Sequence, residues 1–175
     1  MKLLEKTIRA IPDFPQKGII FRDITPVLAE PSVFKHTVES LCEKAAATNC
    51  NSIVAIESRG FLFASAMAYK MNLPLIIVRK PGKLPWKVEK EEYSLEYGTD
   101  TLEIHKDSIT KTDKIVIVDD LLATGGTAAA AARLVKKLGG SVVGYLFVVE
   151  LDGLGGRVKL SEAPVESLIT YKEEG

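Results

Sequence analysis

The stretch KIVIVDDLLATGGTAAAA, residues 114–131, decides the fold. Four apolar residues run into two adjacent carboxylates, Asp119 and Asp120. A Thr-Gly-Gly-Thr turn follows, and then a run of alanines. An apolar run with no polar alternation predicts a strand buried on both faces, the pattern of a parallel sheet covered by helices. The alanines predict a helix over 127–138, stopped by Gly139 and Gly140. Two like charges side by side cost free energy unless the place has a use for them.

The rest of the chain repeats the alternation of strand and helix. Residues 52–56 (SIVAI), 75–78, 115–118, 142–149 and 165–170 read as strands, and 60–71 reads as a helix. A helix is expected over 3–11, a short apolar segment over 19–23 broken at Ile24-Thr25-Pro26, and a helix capped by Ser32 running to about 48. Residues 80–91 read as a long irregular loop, followed by a hairpin with its turn at 98–100. The fold class is therefore α/β, a doubly wound, mainly parallel sheet flanked by helices. Ligands of such folds sit at the carboxyl ends of the strands. Three unusual segments start there: Glu57-Ser58-Arg59 after SIVAI, Arg79-Lys80 after LIIV, and the acid pair after KIVIV.

Composition narrows the function. The 175 residues suit one domain, and Lys+Arg and Asp+Glu both number 23, which argues against bulk capture of nucleic acid. No apolar run is long enough for a membrane span. The N-terminal stretch carries Glu5 and Arg9 inside its apolar pattern and does not read as a signal peptide. Cys42 and Cys50 fit neither a zinc site nor a redox pair, so a cytoplasmic location is expected. His36 and His105 are isolated.

The glycine turn is a candidate phosphate seat. Adjacent glycines let several N–H groups converge, the following helix adds its unpaired N–H groups and positive dipole end, and Thr124 and Thr127 add hydroxyls. Taken alone, T-G-G-T fits a plain capped turn equally well. It is neither a nucleotide P-loop nor a dinucleotide fingerprint, because Gly82-Lys83 is followed by Leu84 and position 158 is Val158. Carboxylates accept hydrogen bonds only, so Asp119 and Asp120 suit two vicinal hydroxyls, and a ribose 5-phosphate would match both features. Paired acids also stabilise a developing cation, such as the oxocarbenium-like transition state of cleavage at an anomeric carbon.

These residues resemble the type I phosphoribosyltransferases. The segment VIVDDLLATGGT, 116–127, is similar to that family's phosphoribosyl-pyrophosphate motif. GIIFRDITPVL (18–28), ESRGF (57–61), RKPGKLP (79–85) and YSLEYG (93–98) resemble the adenine-specific branch. The resemblance spans nearly the whole chain. It implies conversion of adenine and 5-phosphoribosyl 1-pyrophosphate into AMP and pyrophosphate with Mg2+, a homodimer, an N-terminal hood over 1–30 and a mobile loop and hairpin over 80–105.

By position, the resemblance assigns Asp119 and Asp120 to the ribose hydroxyls and Ala123, Thr124, Gly125, Gly126 and Thr127 to the 5-phosphate. Glu57, Ser58 and Arg59 become the pyrophosphate loop, with a cis peptide expected between Glu57 and Ser58. Arg79, Lys80 and Lys83 would meet the diphosphate from a closing lid. Ile20, Phe21, Arg22 and Leu122 would receive adenine, and Tyr97 would cover it. Glu96 would handle the adenine proton, making Glu96, Asp120 and Arg59 the catalytic set; no protein-only metal site is implied. A transferase for xanthine or hypoxanthine is the nearest rival. A sensor of phosphoribosyl pyrophosphate that binds DNA or RNA would need a basic surface or an added domain. A magnesium phosphatase would need further ligands near the motif.

Overall fold

The computed structural model describes residues 1–94 and 98–172. The interior strand β3, Ser52–Ile56, is buried at every position. It lies between β4 (Leu75–Val78) and β7 (Lys114–Leu122), and all three run parallel. Then come β8 (Ser141–Asp152) and β9 (Val165–Lys172), also parallel, for the order β4-β3-β7-β8-β9.

The sheet separates two cores, as a doubly wound fold requires. Ile53, Ala55, Val116 and Val118 pack against α3 (Pro31–Ala47) and α4 (Gly60–Met71). Val54, Ile56, Ile115 and Ile117 pack against α5 (Gly126–Lys137) and a hairpin of β5 (Val88–Ser94) and β6 (Thr99–His105). This is why both faces of these strands are apolar. The alanines of α5 are small enough to let the helix approach the sheet closely, and Ala130 and Ala131 are fully buried.

Several boundaries differ from the sequence expectation. The helix expected over 3–11 is α1, Lys2–Thr7, and the chain then turns extended at Ile8. Arg9–Pro12 forms β1, paired antiparallel with β2 (Ile20–Asp23), so cross-strand pairing overrides helical periodicity. The break at 24–26 opens a short helix, α2 (Thr25–Ala29), with Pro26 in its first turn, where a missing N–H costs nothing. Asp23 accepts from the N–H and hydroxyl of Thr25 at 2.9 Å each.

Helix α3 is capped by Glu30, whose carboxylate takes the Ser32 hydroxyl at 2.9 Å, and not by Ser32. The segment expected to be irregular through 91 becomes strand at Val88, in register with β6 from Val88↔His105 to Ser94↔Thr99. Strand β7 does not stop before the acids: it pairs with β8 through Asp119↔Phe147 and Leu122↔Glu150. Leu4, Ile8, Ile24 and Val27 of the N-terminal segment are buried in the α3–α4 core. No helix among the described residues is long and apolar enough to cross a membrane.

Candidate active site

The three strand-end segments converge as expected. A cavity of about 220 Å³ is lined by Arg59, Asp119, Asp120, residues 121–128 and Phe147. An adjoining cavity of about 280 Å³ is lined by Glu57, Ser58, Arg59, Lys80, Tyr93, Asp100, Leu102, the acid pair and Thr127. The two share Arg59, Asp119, Asp120 and Thr127. The glycine turn thus opens one chamber, the 57–59 loop opens the other, and the acids stand on the boundary.

The turn has the geometry its residues suggested. Gly125 sits at φ 75°, a left-handed conformation that glycine adopts without Cβ strain, and it delivers the chain into α5. The first turn of α5 lines this chamber, and a helix start carries unpaired N–H groups and a positive end. Leu122, 2 % exposed, closes it from below.

The acid pair answers the opening puzzle. Asp120 is 3 % exposed and its carboxylate takes Arg59 Nε at 2.9 Å. Asp119 Oδ1 accepts the Asp120 N–H at 2.9 Å. Burial, and then the neighbouring Asp120 charge, push the Asp119 carboxyl well above the ordinary range. Burial also pushes Asp120 up, against the pull of Arg59. A pair poised in this way favours any added positive charge or hydroxyl donor.

Asp119 also needs Gly60 beside it. A Cβ on Gly60 would lie 2.8 Å from Asp119 Oδ1 and 2.9 Å from Val118 O, so the start of α4 can approach β7 only as glycine. The peptide between Glu57 and Ser58 is cis, as expected. Arg59 reaches further: its Cζ lies 5.4 Å from the Phe21 ring, and Phe21 meets Phe14 edge-to-face at 5.3 Å. Phe21 is thereby tied to the acid pair through Arg59.

Other candidates are placed differently. Glu57 does not point a free carboxylate into the site. It takes Arg79 Nη2 at 3.1 Å, Lys83 Nζ at 2.5 Å and the Lys80 N–H at 2.9 Å. Burial opposes its ionisation, but the hydrogen bonds from Lys83, Arg79 and Lys80 outweigh that and hold its pKa down at about 2. Arg79 and Lys83 therefore brace the base of the 79–87 segment here. Lys80 alone of the three basic candidates lines the second chamber, with Nζ 3.0 Å from Asp100. Ile20 is 40 % exposed, and the Arg22 guanidinium stacks 3.8 Å over the Tyr171 ring. Glu96 and Tyr97 lie outside the described residues.

Sequence reasoning missed Tyr93, Asp100 and Glu103. The Tyr93 hydroxyl donates to Asp100 Oδ2 at 3.3 Å and accepts from Thr127 at 3.4 Å, joining the hairpin to the glycine turn. Glu103, 2 % exposed, holds Lys90 Nζ at 2.7 Å and the Gly82 N–H at 3.0 Å. Tyr93 stood in the 93–98 segment of the resemblance, Asp100 in the expected hairpin turn and Glu103 in an alternating strand, and none of these places signals its partners.

The donor chemistry suits a hard cation carried by a ligand. The acid pair offers oxygen acceptors, yet the described residues contain no group of three or more His, Cys, Asp or Glu able to hold a metal by themselves.

Comparison with known proteins agrees with this geometry. The family model for the phosphoribosyl transferase domain matches residues 33–170. An adenine phosphoribosyltransferase from Gloeobacter violaceus is 51% identical over 169 residues, covering 96% of this chain and 99% of its own. The crystal structure of adenine phosphoribosyltransferase from Thermoanaerobacter pseudethanolicus is 49% identical and superposes with a TM-score of 0.94 over 97% of this chain and 99% of that one. The Saccharomyces cerevisiae enzyme, solved with adenine and an imino-altritol bisphosphate, is 41% identical, with a TM-score of 0.89 over 95% and 97% of the two chains. With the glycine turn, the acid pair and the 57–59 loop meeting at one rim, this chain belongs to the adenine phosphoribosyltransferase family.

Proposed function

We propose that the chain transfers the 5-phosphoribosyl group of 5-phosphoribosyl 1-pyrophosphate to N9 of adenine, releasing pyrophosphate and forming AMP. The observation that carries this reading is the pair of adjoining chambers with Asp119 and Asp120 on their shared wall. A sugar seated on the acids would place its 5-phosphate in the 124–127 turn and its diphosphate along Ser58, Arg59 and Lys80.

The bond from the anomeric carbon to the pyrophosphate oxygen breaks, and its electron pair leaves with pyrophosphate. The ring becomes oxocarbenium-like, and the buried acids beneath it stabilise that charge. Their raised proton affinity in the free protein marks a site where positive charge is favoured. Adenine N9 attacks the same carbon. Phe21 and Leu122 provide apolar surface for the base, with Ile20 and Arg22 framing it through β2, and Glu96 accepts the proton from the purine while Tyr97 covers it. Arg59 pairs with Asp120, pulling against the burial that raises its pKa, and sits where the leaving oxygens gather. Mg2+, when bound, would neutralise charge on the pyrophosphate, with Asp119 and Asp120 as the carboxylate oxygens that would face it.

The 1–30 segment acts as a hood over the base, and the 80–105 loop and hairpin act as a lid that keeps water from the sugar cation. Lys83 and Arg79, parked on Glu57, become available to the diphosphate as the lid closes. A homodimer and a cytoplasmic location complete the reading. Incubation with adenine, the donor and magnesium, followed by assay for AMP and pyrophosphate, tests it; no AMP, or faster turnover with hypoxanthine or xanthine than with adenine, refutes it.

A further inference from the structure

The 124–127 turn rests on a second piece of backbone, a 3-10 turn at Gly156–Leu160. A Cβ on Gly125 would lie 2.5 Å from Gly156 O and 3.1 Å from its carbonyl carbon and Cα. A Cβ on Gly156 would in turn overlap Ala123 O and lie 2.8 Å from Leu122 Cδ1. The two backbones are in glycine-on-glycine contact, so the position of the phosphate turn depends on where residue 156 sits.

Residue 156 is held by its neighbour. Arg157 donates from Nε and Nη2 to the two oxygens of Glu150 at 2.5 and 2.6 Å, and from Nη1 to Val165 O at 2.6 Å. Ser167 donates to Glu150 Oε2 at 2.6 Å and takes Arg157 Nη2 at 3.3 Å. Glu150 is 4 % exposed on β8, and Ser167 lies on β9. Leu160, fully buried, pins the far end of the 3-10 turn. Glu150, Arg157 and Ser167 line neither substrate chamber. Burying a carboxylate this deeply costs desolvation free energy that a bidentate arginine offsets only in good geometry, so the pair marks a constraint on position.

We propose that the Glu150–Arg157–Ser167 clamp is a positioning device for the 5-phosphate seat: it locks the 3-10 turn to strands β8 and β9, and the Gly156 backbone props the 124–127 turn at the height that phosphate binding requires. This rests on the reading that the turn seats the 5-phosphate. The test is steady-state kinetics on the full chain for the wild type, Arg157→Met, Arg157→Lys, Glu150→Gln and Thr127→Ala, with thermal unfolding alongside.

Arg157→Met is expected to raise KM for the donor about tenfold, the equivalent of one weakened charge-assisted hydrogen bond, with KM for adenine unchanged within about twofold. Arg157→Lys restores part of the loss. Should Arg157→Met not fold, the near-isosteric Glu150→Gln is read by the same criteria. A donor KM that stays at the wild-type value while Thr127→Ala raises it overturns the clamp alone. A donor KM insensitive to Thr127→Ala as well overturns the phosphate seat and the clamp with it. Equal rises in both KM values reduce the pair to general stability and also overturn the proposal.

Discussion

Replacing Glu57 by Gln tests the electrostatic logic of the rim. The wild-type carboxylate is 8 % exposed and accepts from two cationic side chains and one N–H. Its pKa is held at about 2, against 4.5 for the ordinary side chain. Each pH unit of that depression corresponds to about 1.4 kcal/mol, so the full linkage is about 3 kcal/mol. Arg79 and Lys83 are partly solvated, with side chains 29% and 48% exposed, which reduces the expected figure to about 2 kcal/mol. The sign follows from the depressed value. Between the two pKa values the unfolded chain binds more protons, so the contribution is fully present above about pH 5 and disappears as pH falls through 4.5 toward 2. Urea unfolding of wild type and Glu57→Gln at pH 7 and again near pH 3 measures it. The variant is expected to be less stable by about 2 kcal/mol at pH 7, with the gap narrowing at pH 3. A gap below about 0.5 kcal/mol at pH 7, the scale of an ordinary surface pair, or one that widens on acidification, refutes the reasoning.

Asp120→Asn leaves Arg59 without its anion and removes half of the charge beneath the sugar; kcat is expected to fall on the order of 100-fold in a steady-state assay, with the fold intact by circular dichroism. Gly60→Ala adds a methyl 2.8 Å from Asp119 Oδ1, and the overpacking of about 1–3 kcal/mol exceeds the helix-propensity gain of about 1 kcal/mol, so its melting temperature should drop. Tyr93→Phe removes hydrogen bonds to Asp100 and Thr127 and should cost about 1 kcal/mol in denaturant unfolding. Glu96→Ala is expected to lower turnover on the order of 100-fold, and unchanged turnover would remove Glu96 from the reaction.

The apolar runs were legible: β3, buried on both faces, and β4 and α4 have the limits their patterns predict. The edges of the molecule were not. Arg9–Pro12 carries a helical spacing of apolar residues but becomes a strand, because its partner Ile20–Asp23 is close in space and Pro12 cannot continue a helix. Likewise the segment 88–91 is rich in charge and reads as loop. It is a strand because its acids are paired at a distance: Glu91 with Arg133 and Lys137 of α5. Local propensity contains none of these partners.

The same divide runs through the candidate site. Backbone features such as the glycine turn, the 57–59 loop and the convergence at strand ends could be read because spacing alone determines them. Side-chain partnerships could not. The sequence shows five cations between 79 and 90 and suggests a polyanion partner, whereas the folded chain neutralises most of them internally: Arg79 and Lys83 on Glu57, Lys80 on Asp100, Lys90 on Glu103. Glu57 lies more than 20 residues from its cations, and Glu103 lies on the opposite arm of the hairpin from Lys90. Each of those acids is largely buried while its lysine is about half exposed. The acids are therefore fixed parts of the scaffold, and the lysines are the exchangeable members of each pair. On the proposed function, a diphosphate would draw on Lys80 and Lys83 by taking over the solvated ends of these pairs.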